Sequence, residues 1–321
     1  MTCLRIALFS LGLAALLPAA FAQPVKAHTA LVHALAVSPD GKLLATAGFD
    51  NTVKIWDIAA DGSLKEKKVL TGHTGPVYAV SFHPKDGVVV SASLDKTARV
   101  WNLADGKMTQ EIKGHTDIVD AVAFSPDGKS IATAGADKSV RLWNAADGKE
   151  LKNLGVHTGS VYSVAFSPDG KFLASAGGDA NNKDHVIKVW DVVGLKELKT
   201  LKGHEAPVTA VTFGADANTL ISASMDRTIR VWDIATGKDT KKLGPTVDDP
   251  YAIAWDPKSK TFAVCGYSGQ LSVWSLTADK PIFTKAIKSV GYCVAFTSDG
   301  KGLYSGHDNG SVVFTPIVLG K

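Results

Sequence analysis

Apolar and charged residues alternate in the short segments that precede the tryptophans of this chain. Three of these segments are Val53-Lys54-Ile55, Val140-Arg141-Leu142 and Ile229-Arg230-Val231. A period of two turns one face toward a core and the other toward solvent, which is typical of half-buried antiparallel strands. Turn sequences such as Ser125-Pro126-Asp127-Gly128 separate the segments, because Pro presets φ while Asp and Gly accept the remaining turn angles. The pattern predicts an all-β chain of short strands and hairpins.

This strand pattern recurs at a nearly constant period. The segment Val77–Phe82 reappears at 119–124, 161–166 and 208–213. One unit of about 42 residues cannot bury its own apolar faces, whereas units stacked radially can. The period therefore predicts a seven-bladed β-propeller of four-stranded antiparallel blades. Its seven units are marked near their ends by Trp56, Trp101, Trp143, Trp190, Trp232, Trp274 and Phe314.

Dipeptides at fixed places in the units give the chain a family resemblance. Gly-His pairs occur at 72–73, 114–115 and 203–204, and Trp-Asp pairs at 56–57, 190–191 and 232–233. Because these pairs recur in phase over residues 27–318, the chain resembles the WD40-repeat family. The resemblance implies that the outer strand of the last blade comes from the opposite terminus. We therefore expect the short segment Gln23–Ala27 to close the ring against Ser311–Ile317.

Units one to five contain a His and an Asp that are always 22 residues apart. The resemblance implies that this His bonds to the Asp, and that a strand Ser or Thr links the His to the Trp. Acid–base chemistry or metal binding is the alternative role, but five equivalent copies around a ring do not converge on one active site. We interpret the set as a structural hydrogen-bond network formed by His28, Asp50, Trp56, His73, Asp95, Trp101, His115, Asp137, Trp143, His157, Asp179, Trp190, His204, Asp226 and Trp232.

Units six and seven depart from this pattern. Thr246 and Ser268 replace the His and Asp of unit six, while unit seven has Ile287 in place of the His and keeps Asp308 as its Asp. We expect these two units to lack the hydrogen-bond ring and to depend on apolar packing. The aromatic residues available for it are Trp255, Phe262, Trp274, Phe296 and Phe314.

A candidate partner surface follows from the positions that the family uses on its top face. The resemblance implies contacts from the third and fifth residues after each His and from the residue before each Asp. These positions hold five of the six Tyr of the chain, a residue type enriched at interfaces. Packing between loops is the alternative role for these rings. The predicted partner-binding residues are His33, Phe49, Tyr78, Asp120, Tyr162, Met225, Tyr251, Tyr267 and Tyr292.

One loop on the same face is longer in unit four, where Asp179–Asp184 carries acidic and amide residues. It resembles a calcium loop weakly, but Lys183 occupies the place of a ligand, so we interpret it as a plain elongated loop. The constant spacing favours Asp179 over Asp184 as the Asp of that unit.

The first 22 residues differ in composition from the rest of the chain. Arg5 precedes an apolar run from Ile6 to Ala19, and Ala20-Phe21-Ala22 matches a signal-peptide cleavage site. We therefore predict a signal peptide at 1–22, a propeller at 23–321 and an extracytoplasmic location, either periplasmic or secreted. An uncleaved membrane anchor is the alternative, although the run is short for a bilayer span. We expect no membrane insertion after cleavage.

Charge and motif content narrow the classes of function. The 35 basic and 31 acidic residues are spread along the chain, which is too even for a nucleic-acid surface. Metalloprotease, nucleophile-elbow and phosphate-loop motifs do not occur, so we predict neither catalysis nor a cofactor or metal. We expect a monomeric propeller that binds a protein or peptide within a complex. The alternatives are a propeller enzyme and a site for a small ligand or metal at the channel mouth.

The predicted mature chain has two cysteines, Cys265 and Cys293. Both replace small residues of the other units, so we expect buried packing positions. A disulfide between blades six and seven is possible in an oxidising compartment, and the sequence leaves this open.

Overall fold

The computed structural model of the protein describes residues 22–179 and 185–318. In these two ranges the chain forms seven four-stranded antiparallel sheets and no helix, which confirms the predicted all-β propeller. Nothing in this part of the chain forms a helix that could span a membrane. The signal peptide predicted at 1–22 lies almost wholly outside the described residues.

Each blade is a meander whose first strand is innermost and whose last strand is at the rim. Blade 1 contains β2 (Val32–Val37), β3 (Leu43–Gly48), β4 (Val53–Ile58) and β5 (Leu64–Leu70); blade 2 contains β6 (Val77–Phe82), β7 (Val88–Ser93), β8 (Thr97–Asn102) and β9 (Met108–Lys113). Blade 3 contains β10 (Val119–Phe124), β11 (Ser130–Gly135), β12 (Ser139–Asn144) and β13 (Glu150–Val156). Blade 4 contains β14 (Ser160–Phe166), β15 (Phe172–Gly178), β16 (Ile187–Asp191) and β17 (Lys196–Leu201).

The remaining blades complete the ring. Blade 5 contains β18 (Val208–Phe213), β19 (Thr219–Ser224), β20 (Ile229–Asp233) and β21 (Lys238–Leu243); blade 6 contains β22 (Pro250–Asp256), β23 (Thr261–Gly266), β24 (Gln270–Ser275) and β25 (Phe283–Ala286). Blade 7 contains β26 (Gly291–Phe296), β27 (Gly302–His307) and β28 (Ser311–Pro316), and its fourth strand is β1 (Val25–Lys26). Because Val25 pairs with Val312 and Lys26 with Ser311, the predicted closure by a short N-terminal strand is confirmed.

The hydrophobic core lies between neighbouring blades. The indole of Trp101 in blade 2, for example, packs among Ala45, Ile55 and Leu70 of blade 1 and is 1% exposed. The other five tryptophans that mark the units likewise join the apolar cluster of the preceding blade. Burial of such a large ring stabilises each blade contact by several kcal/mol, on the order of 25 cal/mol per Å² of apolar surface.

The register of blade 7 corrects two predictions from the sequence. Thr315, not Phe314, occupies the position of the marker tryptophan, because Thr315 pairs with Leu303 as Trp56 pairs with Leu44. A shift of one residue moves a strand side chain to the opposite face. The position that the Asp of the His–Asp pair occupies in other blades is held in blade 7 by Asn309. Its Oδ1 accepts hydrogen bonds from Ser311 N and Oγ. Asp308 precedes that position.

A bulge interrupts the innermost strand of every blade near its first residue. In blade 3 the pairing passes from Val119–Gly135 to Ala121–Ala134, so Asp120 is the extra residue. The same irregularity occurs at the corresponding place in the other six blades. Such bulges commonly redirect a side chain beside a functional site. The seven extra residues are His33, Tyr78, Asp120, Tyr162, Thr209, Tyr251 and Tyr292.

Candidate functional site

The side chains of the seven bulge residues surround one end of the central channel, and we call them the mouth ring. All seven line a cavity of about 510 Å³. Below them the wall is made of small and aliphatic residues of the same strands, such as Ala34, Ala121 and Val211. The positions five residues after each His, or after its counterpart in blades 6 and 7, are therefore brought together at a single opening.

Aromatic contacts connect much of the mouth ring. The rings of Tyr251 and Tyr292 stack with centroids 5.3 Å apart, and Tyr292 lies 6.1 Å from His33. His33 is 4.8 Å from Tyr78, and Phe49 covers this pair from 5.5 Å and 5.0 Å respectively. A continuous aromatic arc thus extends from blade 6 through blades 7 and 1 to blade 2. Packing fixes these rings, so little side-chain entropy would be lost on binding.

Burial shifts the pKa values of the titratable groups of the mouth ring: it raises those of the four tyrosines and of Asp120 and lowers that of His33. Burial lowers the pKa of His33 and outweighs its bond to the carbonyl of Tyr78, 2.7 Å from Nδ1. This nitrogen donates to that carbonyl, so in the neutral ring Nε2 is an acceptor. Burial raises the pKa of Asp120 to about 7, and the nearby charges of Asp117 and Asp137 add to the effect.

The other predicted partner-binding residues occupy different parts of this face. Met225 lines the cavity and is 40% exposed, whereas Phe49 is half-buried against the rings of His33 and Tyr78. Tyr267 is 63% exposed and lies outside the cavity wall. Thr209 was not among the predicted partner-binding residues, but it belongs to the mouth ring and donates a hydrogen bond to the carbonyl of Pro250.

The residues of the His–Asp sets form hydrogen-bonded chains inside the blades. In blade 2 the indole of Trp101 donates to Ser91 Oγ at 2.8 Å, Ser91 lies 2.7 Å from His73 Nε2, and His73 Nδ1 lies 2.7 Å from Asp95. Because the indole donates to the serine oxygen, the serine hydroxyl donates to Nε2 and Nδ1–H donates to the carboxylate. Blades 1, 3 and 5 have the same chain, ending at Asp50, Asp137 and Asp226.

Blade 4 contains part of this chain. His157 Nε2 lies 2.7 Å from Ser175 Oγ, to which Trp190 also donates. Residues 180–184 of the elongated loop lie outside the described residues, so the role of Asp179 stays a prediction. The glycine of the Gly-His pair is present one residue early, at Gly155: its φ is 149°, and a Cβ there would lie 3.1 Å from the Trp190 ring. The search for Gly-His pairs in the sequence missed this glycine, because Val156 separates it from His157.

Blades 6 and 7 lack the His–Asp pair but have replacement hydrogen bonds. The indole of Trp274 donates to Ser272 Oγ within its own strand at 2.8 Å. The carboxylate of Asp248 accepts from the backbone N of Ser268, so the acid comes from the opposite loop. In blade 7 the buried His307 bonds to Ser305 Oγ at 2.8 Å and to the carbonyl of Val290. The predicted dependence on packing alone is thus incomplete.

Cys265 and Cys293, the cysteines of the described ranges, are free thiols and both are buried. Cys293 Sγ points toward the carbonyl of Val32 at 3.5 Å, and burial raises the pKa of Cys265 and of Cys293 well above the usual thiol value. A thiol whose ionisation is suppressed in this way is a poor nucleophile or metal ligand. Within the described ranges, no three His, Cys, Asp or Glu side chains form a group that could hold a metal ion.

Comparison with known proteins is consistent with this architecture. The family model described as WD domain, G-beta repeat matches residues 21–57, 64–102, 106–144, 148–191, 195–233 and 238–275. The chain is 31% identical over 100 residues to WD repeat-containing protein SL1-17 of Schistosoma mansoni, covering 31% of this chain and 33% of that protein. It is 36% identical over 55 residues to Coronin-7 of Mus musculus, covering 17% of this chain and 6% of that protein. These alignments span a third or less of the relatives' own length.

Proposed function

The chain belongs to the WD domain, G-beta repeat family, and on that premise we propose that it is a non-catalytic scaffold whose channel mouth binds a partner protein. Propellers of this family typically act as protein-interaction scaffolds. The partner segment that fits best is an extended peptide or a protruding loop, because the cavity of about 510 Å³ is lined by all seven inner strands at one end of the channel.

The mouth ring is the observation that carries this proposal. Four of its seven members are tyrosines, and each reaches the channel because a bulge turns it there. Tyr162 is 38% exposed and Met225 is 40% exposed, so apolar surface remains available beside polar hydroxyl groups. Rings with an apolar body and a polar tip are enriched among the residues that dominate binding energy at interfaces.

A crosslinking pull-down tests the site. The triple variant Tyr78→Ala/Tyr162→Ala/Tyr251→Ala is expected to lose a protein that the wild-type chain captures, with at least about a tenfold fall in recovery, because hot-spot rings each contribute 1–2 kcal/mol or more. The matched control, Leu151→Ala/Val193→Ala/Leu198→Ala, removes three exposed apolar side chains outside the channel. Both variants must melt as cooperatively as wild type. Equal capture by all three forms would locate the interface elsewhere.

We propose further that the propeller acts outside the cytoplasm, on the basis of the N-terminal sequence. Arg5, the apolar run and Ala20-Phe21-Ala22 together form a signal for export and cleavage. N-terminal sequencing of the protein recovered from its native source is expected to begin at Gln23. Recovery of an uncleaved chain from the membrane fraction would support an anchored protein, and an uncleaved chain in the cytosolic fraction would refute export.

A further inference from the structure

The mouth ring contains one carboxylate, that of Asp120, among residues that are mostly aromatic. Asp120 is the one acidic member, and no donor among the described residues forms a hydrogen bond to its carboxyl group. No lysine or arginine among the described residues lines the cavity, and burial lowers the pKa of His33, which favours its neutral form. A partly buried carboxylate without a partner is unfavourable, so a bound group that supplied positive charge would relieve this cost.

The position of Asp120 in the ring places aromatic surface opposite it. Neighbouring blades contact one another in chain order, and blade 7 contacts blade 1. Blade 3 therefore lies across the channel from blades 6 and 7, which carry the stacked Tyr251 and Tyr292. The faces of aromatic rings attract cations, with the strongest effect where water is excluded. His33 Nε2 adds an acceptor on the same arc.

Three kinds of side chain could enter this opening, and their energetics differ. An acidic group would be repelled by Asp120, and an apolar group would leave the carboxylate desolvated without a partner. A basic group would contact the carboxylate on one side and the aromatic arc on the other. Resting on the function proposed above, we propose that the mouth ring receives a lysine or arginine side chain from an extended segment of the partner.

The charge state of Asp120 gives this proposal a pH dependence. The titratable groups that act on it are Tyr78 of β6, Tyr162 of β14, Asp117 of the preceding loop and Asp137 beyond β11. Arg99 of β8 and His115 are engaged with Glu111 and Asp137 respectively. Since the pKa of Asp120 is about 7, its charge and the affinity for a cation fall as the pH decreases below that value.

Peptide titration tests the proposal. The probes are Ac-Gly-Gly-Arg-Gly-Gly-amide and its Lys and Gln counterparts, followed at pH 8 by NMR of the full chain. We expect the Arg or Lys peptide to bind at least about tenfold more tightly than the Gln peptide. Asp120→Asn is expected to abolish this preference, whereas Asp117→Asn, which removes an exposed carboxylate of the adjacent loop, should retain it. Lowering the pH to 5.5 should weaken the preference in wild type.

Thermal melting of Asp120→Asn separates loss of the site from loss of the fold. In wild type the pKa of Asp120 is raised in the folded state, so its ionised carboxylate destabilises the fold increasingly as the pH rises from about 4 through 7. We therefore expect Asp120→Asn to melt above wild type at pH 8 and with wild type near pH 4. Equal binding of the Gln and basic peptides, no binding of any peptide, or an unchanged preference in Asp120→Asn would overturn the proposal.

The two proposals fail in distinguishable ways. If Asp120→Asn captures the same protein as wild type while the triple tyrosine variant loses it, the mouth binds a partner without reading its charge. If the triple tyrosine variant also retains that protein, the mouth is not the interface and the proposed function fails with the inference.

Discussion

Replacing Asp95 with alanine is expected to lower the free energy of unfolding by about 3–5 kcal/mol, because it leaves several buried donors without an acceptor. The side chain of Asp95 is 6% exposed and accepts from His73 Nδ1, the backbone N of Thr74 and both donors of Thr97. With an entropy of unfolding of about 2.1 cal/mol/K per residue, this loss of free energy corresponds to a fall in Tm of about 5–8 °C. Calorimetry at pH 7 measures this change.

The pH dependence of the same variant provides an independent check. Burial by itself would raise the pKa of Asp95, but the hydrogen bonds from His73 and Thr97 hold it well below the usual range. A depressed folded pKa contributes stability that is present above about pH 4 and is lost as the pH falls further. The difference in Tm between wild type and Asp95→Ala should therefore shrink toward pH 2. Asp120→Asn, by contrast, should have a higher Tm than wild type, and this difference should be present at about pH 8 and vanish near pH 4.

Asp279→Ala is the control for Asp95→Ala. The side chain of Asp279 is 90% exposed and forms one surface ion pair, 2.9 Å from Lys241 Nζ. Such pairs contribute about 0–1 kcal/mol, so Tm should change little. If the two variants melted alike, the His–Asp chain would not be a structural network, and its histidines would need another role.

The second large effect is expected for Gly135→Ala, which should destabilise the fold by about 2–3 kcal/mol. Gly135 pairs with Val119 beside the bulge of blade 3, and a Cβ there would lie 1.9 Å from the carbonyl oxygen of Ile118. Ile118 must move to accommodate it, which disturbs the hydrogen bond from the backbone N of Ala136 to that oxygen. Since this bulge presents Asp120 to the channel, binding of the basic peptides should weaken together with Tm.

The chain offers a matched comparison for this glycine. Gly87 lies in a turn of blade 2 where a Cβ would meet nothing within 4 Å, so Gly87→Ala should melt within about 1 °C of wild type. Serine is accepted at the register position of Gly135 in blades 2 and 5, where Pro76 and Pro207 replace Ile118. Wild-type stability of Gly135→Ala would mean that the blade 3 loop adapts as those loops do.

Much of the fold could be predicted from the sequence, because its causes are local and repeated. The alternation Val53-Lys54-Ile55 reports burial of one strand face, and the regular tryptophan spacing reports the size of a blade. The constant separation between His73 and Asp95 and its four counterparts points to one repeated geometry. Seven blades and their hairpins follow from these signals, whereas the short closing strand was expected from the family resemblance.

Other features were decided by pairing between strands that the spacing does not encode. The Asn309-Gly310 turn sets the register of blade 7, which makes Thr315 rather than Phe314 the counterpart of the tryptophans. Val156 is inserted before His157, so the glycine that packs against the Trp190 ring is Gly155 and no longer adjoins the histidine. A position assigned by its spacing from the preceding motif is wrong wherever one residue is inserted or omitted. A one-residue shift moves a side chain to the opposite face of its strand.

The candidate site shows the same division. The repeat pattern was enough to place tyrosines and Asp120 at equivalent positions in successive units. The folded ring was needed to show that a bulge at each of these positions directs the side chain into the channel, and that closure sets Asp120 across from Tyr251 and Tyr292. The physical reason is that a bulge and a closed ring depend on backbone hydrogen bonds between distant segments, whereas the residue pattern reports only which face of each strand is buried.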